Sequence, residues 1–276
     1  MRIVRIEPPA PRRGANLRRR LSDDRTMTVL SHVLILLVWE ALARAGVLDA
    51  RFVPAPSRVI VELAVLLWHG DLLADIGWTL ARVAVGFVLG AVPAVLLGIV
   101  MGLSPVLRAF LRPAIAAIYP IPKVALLPLV MLVFGLGEEA KWVIVAVAVF
   151  FQVVLNTLAG VVNIDPIYLD VARNFGAGRW QTYRRIALPA ALPFIFTGCQ
   201  LGLGMALIVV VIAEQFGTKV GLGYLIWRSW QIFEIEDMYA GLLVIAVLGT
   251  LLQAAAGLLE RRVVRWHSAR RGNVQA

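Results

Sequence analysis

The 24 residues from Ala190 to Ala213 contain no charged side chain. A run of that kind decides the surroundings of the chain before any motif does. At about 1.5 Å per residue a helix of this length crosses a hydrocarbon core of about 30 Å. In lipid no water meets the backbone N–H and C=O groups, so the run must satisfy them internally, as a helix does. Apolar runs recur at Thr28–Gly46, Ile76–Leu103, Pro113–Gly135, Lys141–Val162 and Met238–Leu259. The expectation is an all-α polytopic membrane bundle with about six transmembrane helices. A rival reading makes the first run a signal peptide cleaved near Ala43, which leaves the other runs to be explained. Composition agrees: 60% of the 276 residues are hydrophobic and 16% charged, too apolar for a soluble domain. Cys199 is the one cysteine, so no intrachain disulfide forms. His32, His69 and His267 lack ligand spacing, and no metal site is expected.

The net charge of +10 is informative through its placement. Residues 1–27 carry eight Arg, with Pro8, Pro9 and Pro11 discouraging helix, and read as a basic tail against anionic lipid. Segments assigned to one side hold 19 of the 27 Lys and Arg, and the other side holds five: Arg51, Arg58, Lys141, Lys219 and Arg228. The positive-inside preference then makes both termini cytoplasmic and removes the need for a nucleic-acid partner. The expected organisation is a cytoplasmic tail (1–27), a first transmembrane helix with an extracytoplasmic segment (28–70), a core (71–260) containing a cytoplasmic loop (163–189), and a second basic tail (261–276).

That loop is the longest polar interruption in the apolar part of the chain. Asp165 is a helix N-cap followed by Pro166, and Ile167, Val171 and Phe175 then recur every fourth residue on one face. Gly176 suits the position past a helix end, where φ is positive. Trp180, Tyr183 and Ala187 mark a second short amphipathic helix, which Pro189 is expected to close. Two readings stay open on spacing alone: a docking surface for a soluble partner, or a hairpin lying in the headgroups.

Asp170, Val171, Ala172, then Gly176, then Ile186, Leu188 and Pro189 resemble the "EAA" loop of ABC-importer permeases. The pattern is Glu-Ala-Ala, three residues, Gly, nine residues, Ile, one residue, Leu-Pro, and its spacing is intact over 20 positions. Asp170 stands for Glu and Val171 for the first Ala. VPAPSRVI (Val53–Ile60), ALLPLVMLVFGLGEEAK (Ala125–Lys141) and AEQFGTKVGLGYLI (Ala213–Ile226) resemble the nitrate/sulfonate/taurine branch of that superfamily. The resemblance implies a type I importer permease (MetI-like) fold in a bacterial inner membrane. It implies a second permease copy, taken as forming a homodimer, a cytoplasmic ABC ATPase and an extracytoplasmic solute-binding protein. It also implies that Asp170 to Pro189, with Phe175, docks the ATPase. Nitrate, sulfonates, taurine and pyrimidine-type vitamin precursors fit relatives of this type.

Other residues carry weaker expectations. Gly86, Gly90, Ala94, Gly98 and Gly102 recur every fourth position, as do Gly198, Gly202 and Ala206; such ladders admit close helix packing. Pro120, Pro122 and Pro128 break the third run, and Lys123 sits at the break. Lys123 has two readings, attraction of an anion in the translocation pathway or a stem that snorkels or meets a carbonyl. Arg82 reads as an interfacial anchor, and Glu214 as an interfacial carboxylate. No Gly-x-x-x-x-Gly-Lys-Ser/Thr occurs, so no cofactor is expected here and ATP belongs to a separate subunit. The rivals are a secondary transporter, which would need a mid-span acid, and a membrane enzyme, which would need a catalytic set.

Overall fold

The structure, a computed structural model, describes residues 24–264. The basic tails expected at 1–27 and 261–276 fall largely outside the described residues; Asp24 to Met27 and Arg261 to Val263 belong to helices. The chain forms two compact units, Met1–Glu62 and Leu63–Ala276. In the first unit α1 (Asp24–Arg44) ends beside the start of α2 (Pro56–His69), which crosses into the second. Glu40 accepts from the Ser57 N–H at 3.0 Å and its hydroxyl at 2.8 Å, so a carboxylate from α1 meets an N–H of the first turn of α2 that has no helical acceptor.

The second unit is a bundle built around α6 (Glu138–Val162), 25 residues or about 37 Å long. α3 (Leu72–Leu103) and α9 (Leu188–Ala213) pack along it. Ile144, Val145, Val149, Val153 and Val154 of α6 are wholly buried. Among the described residues every regular element is a helix, as the apolar runs required. Five helices among the described residues are long and apolar enough to cross a membrane, or six if one bent pair counts as a span.

Helix contact in lipid comes from close packing, because lipid tails are as apolar as the side chains. The glycines show how close. A Cβ at Gly90 would lie 2.3 Å from the Ala146 carbonyl oxygen, and one at Gly86 would lie 2.6 Å from Val145. At Gly98 it would meet Thr157 at 2.7 Å, and at Gly102 Val161 at 2.4 Å. Ala94 is buried on the same side. From the other flank, a Cβ at Gly198 would stand 2.9 Å from that of Asn156, and one at Gly202 would stand 3.3 Å from Val149. Both ladders therefore face α6.

Three sequence expectations need correction. Read locally, Ser104 to Arg112 is a short basic loop and the third span starts at Pro113, and the structure differs on both. Ser104 caps α4 (Pro105–Ile118), its hydroxyl accepting from the Leu107 N–H, so Ser104 to Arg112 is mostly helical. A turn of 3-10 helix (Lys123–Leu126) and α5 (Leu127–Phe134) follow, meeting α4 at 88°. Second, Pro189 does not close a helix. After α7 (Pro166–Asn174) and α8 (Arg179–Thr182), a π-helical turn (Tyr183–Ala187) runs straight into α9, giving continuous helix from Trp180 to Ala213. The wider turn before Pro189 moves the carbonyl with which the proline ring would otherwise clash. Third, Arg82 is not an interfacial anchor, as described below. α10 (Leu222–Gln231) and α11 (Ile235–Val263) complete the fold.

Candidate functional site

At one end of the bundle the chain leaves α6 and builds the α7–α8 hairpin. Asp165 accepts from the Ile167 N–H at 3.0 Å and opens α7 as its N-cap. The helix ends with Ala177 N–H donating to the Ala172 carbonyl at 2.8 Å, and Gly176 has φ 71°. A Cβ at Gly176 would meet nothing within 4 Å, so backbone conformation alone requires glycine there. Ile164, Ala187, Ile186 and Leu188 pack beneath against Ile99 and Val161, and Ala172 is buried. This underside holds the hairpin to the bundle.

The outer face is the reverse. Ile167, Tyr168 and Val171 are exposed, Phe175 is 86% exposed and Trp180 68%. The Trp180 ring stacks on Tyr183 at 5.1 Å and 12°, which stiffens the second half of the surface. Asp170 is exposed beside them, and Pro189 is half-buried where α9 begins. Exposed apolar faces of this kind are the surfaces that other molecules cover.

At the break in the α4–α5 pair, Pro120 and Pro122 are exposed and Lys123 is buried. Lys123 Nζ donates to the carbonyls of Ile118 at 3.0 Å, Tyr119 at 3.0 Å and Ile121 at 2.9 Å. Its three N–H bonds are thus all taken, and the Phe151 ring lies 4.3 Å from the ammonium. The charge sits on the last carbonyls of α4, where the helix dipole is negative. Lys141 repeats the device one corner later, donating to Leu136 at 3.3 Å and Gly137 at 3.1 Å behind α5.

The opposite end of the bundle holds a buried ionic cluster that sequence reasoning missed. Arg82, 1% exposed, donates through Nε and Nη2 to Glu138 at 2.6 and 2.7 Å and through Nη1 to Glu214 at 2.8 Å. Nη1 also reaches the Val220 carbonyl at 2.8 Å, and Nη2 the Thr218 hydroxyl at 3.2 Å. Glu214, wholly buried, accepts in addition from the Thr79 hydroxyl at 2.9 Å and the Gly223 N–H at 2.9 Å. Burial pushes its carboxyl up from the usual carboxylate range, and the bonds from Arg82, Gly223 and Thr79 oppose that. A signal was present: Asp75, Thr79 and Arg82 fall at i, i+4 and i+7, a polar stripe on one face of an apolar span. Among the described residues, no group of three or more His, Cys, Asp or Glu is placed to hold a metal ion.

A multi-span bundle with an exposed apolar face at one end and a buried ionic cluster at the other has the build of a membrane permease. Residues 94–265 match the family described as binding-protein-dependent transport system inner membrane component, and the chain belongs to it as an ABC-importer permease. The chain is 32% identical over 244 residues, 88% of each chain, to the protein assigned as aliphatic sulfonates transport permease SsuC of Bacillus subtilis. It is 31% identical over 252 residues to the taurine transport system permease TauC of Escherichia coli, covering 90% of this chain and 92% of the relative. Its fold is similar to a chain of the inward-facing MetNI methionine ABC transporter, with a TM-score of 0.64 and 21% identity, covering 72% of this chain and 97% of the other. Membership of an importer family implies an ATPase and a substrate-binding partner.

Proposed function

We propose that this permease carries a small sulfonate of the taurine type inward, as one of two identical copies lining the passage. The α7–α8 face receives the ATPase on the cytoplasmic side, where both termini also lie, and the Arg82 cluster marks the extracytoplasmic end. The observation that carries the reading is the exposed apolar face of Ile167, Val171, Phe175 and Trp180 on a firmly seated hairpin. A face like that in water is costly unless covered, and a soluble ATPase is the cover an importer needs. The clustering of Lys and Arg on the same side supports the orientation. For the solute, support comes from the names of the relatives and from Lys123. Lys123 has no carboxylate in ion-pair reach among the described residues, so its field favours anions although its N–H groups are taken.

Two measurements test this. Phe175→Asp should leave the permease in the membrane and abolish co-purification of its ATPase; undiminished retention sinks the docking role. Uptake of labelled taurine, an alkanesulfonate and nitrate should be compared in cells with and without the permease. Permease-dependent uptake of nitrate alone would replace the solute while keeping the transport class.

A further inference from the structure

We propose that Asp75, Thr79, Arg82 and Glu214 are positioning residues: they form a socket that holds the amino end of α10 against α3 and α9. Their part in transport, which rests on the permease reading above, is this seat and not contact with solute.

The argument starts from the first turn of a helix, whose N–H groups have no partner within the helix. At a surface water serves them. α10 begins buried: Gly221, Leu222 and Gly223 are all shielded. Each of the three successive N–H groups meets a different side chain. Gly221 donates to Asp75 Oδ1 at 2.6 Å, Leu222 to Thr79 Oγ1 at 3.0 Å, and Gly223 to Glu214 Oε2 at 2.9 Å. Two of the acceptors stand one turn apart on α3, and Arg82 completes the stripe.

Arg82 locks the arrangement. A guanidinium has five N–H donors, and here Glu138, Glu214, Val220 and Thr218 take all of them. No donor remains for a solute anion. Its two carboxylate partners come from the start of α6 and the end of α9, so one cation on α3 ties two other helix ends together.

The fit is also steric. Gly221 has φ 117°, and a Cβ at Gly223 would lie 2.0 Å from the Val211 carbonyl oxygen. Any side chain there pushes α10 out of its seat. Tilting α10 would take three buried amides from their acceptors and uncouple two acids. The seat in turn sets one wall of a cavity of about 480 Å³, to which α10 gives Tyr224, Arg228 and Ser229, facing Asp71 and Asp75.

Amide hydrogen exchange on the full-length permease in detergent tests the socket. Thr79→Val removes the hydroxyl at constant shape, whereas Thr79→Ser keeps it. Thr79→Val should speed exchange of the Gly221–Gly223 amides at least tenfold with α7 unchanged, and Thr79→Ser should stay near the parent. Equal protection in Thr79→Val overturns the proposal. So does faster exchange spread evenly through α3, α6 and α9, which would make the cluster a general determinant of the fold.

A covalent test separates a fixed seat from a moving one. Leu72 and Leu222 share a buried cluster, so Leu72→Cys with Leu222→Cys, in a Cys199→Ala background, can be joined by a short bis-methanethiosulfonate, which forms a disulfide to each thiol with loss of sulfinate and is released by reduction. The joined transporter, with its ATPase and binding protein, should hydrolyse ATP within twofold of the unjoined one. Loss of hydrolysis that reduction restores would mean α10 moves against α3, and the socket fails. If instead the parent permease itself retains no ATPase, the ATPase-docking reading fails, and the exchange result alone decides the socket.

Discussion

Lys123 shows how a charge can be tolerated among apolar side chains. Its cost is met by three carbonyls at the corner after α4, those of Ile118 and Tyr119 at the helix end and that of Ile121 beyond it. Lys123→Met should therefore lower stability by about 1–3 kcal/mol, since the Ile118 carbonyl keeps the Ile121 N–H while the other acceptors lose the ammonium. Thermal unfolding in detergent reads that loss, and Lys123→Gln should fall between the two. Unchanged melting with weakened anion uptake would instead assign Lys123 to the passage alone. Gly176 is a different case, because space is open around it and only φ 71° constrains it. Gly176→Val should strain the turn by about 1–2 kcal/mol, and Gly176→Asn by less. Both should insert in the membrane, with ATPase co-purification reduced more in Gly176→Val. Equal retention in the two would remove backbone conformation from the coupling argument.

At the scale of helices, α6 is the axis and the two ladders are what let α3 and α9 reach it. Gly90→Leu must part α3 from α6, because even a Cβ would overlap the Ala146 carbonyl. The expected cost is about 3 kcal/mol or more, seen as loss of monodisperse protein on size-exclusion chromatography. Gly257→Ala on α11, where a Cβ meets nothing within 4 Å, is the control and should be silent. If Gly90→Leu behaves like that control, the α3–α6 contact is looser than the geometry requires. The π-helical turn before Pro189 belongs to the same scale. It joins α8 and α9 into one continuous helix, so a force on Trp180 has a stiff path to the far end of the bundle.

For the whole molecule, the proposed orientation rests on where the basic residues lie. Single cysteines placed by Gly176→Cys and by Lys219→Cys, each with Cys199→Ala, should label from opposite faces of the membrane, position 176 from the cytoplasm. Labelling of both from the outer face would invert the path of the chain. The spans, the hairpin and the family pattern were legible in the sequence because each is written locally. Apolar length sets a span, a residue such as Asp165 caps its own helix, and the motif from Asp170 to Pro189 lies within 20 positions. Two local rules misled. Proline at 189 reads as a stop unless the preceding turn widens, and Ser104 to Arg112 reads as a loop unless its cap is recognised. What tertiary structure alone decided is pairing at a distance. Arg82 finds Glu214 132 residues away, Asp75 finds the Gly221 amide 146 away, and Lys123 turns back onto α4 only because the chain bends by 88°. A span's length is set by solvation, which each residue feels on its own. The partner of a buried charge is set by which helix ends packing brings together, and no local pattern encodes that.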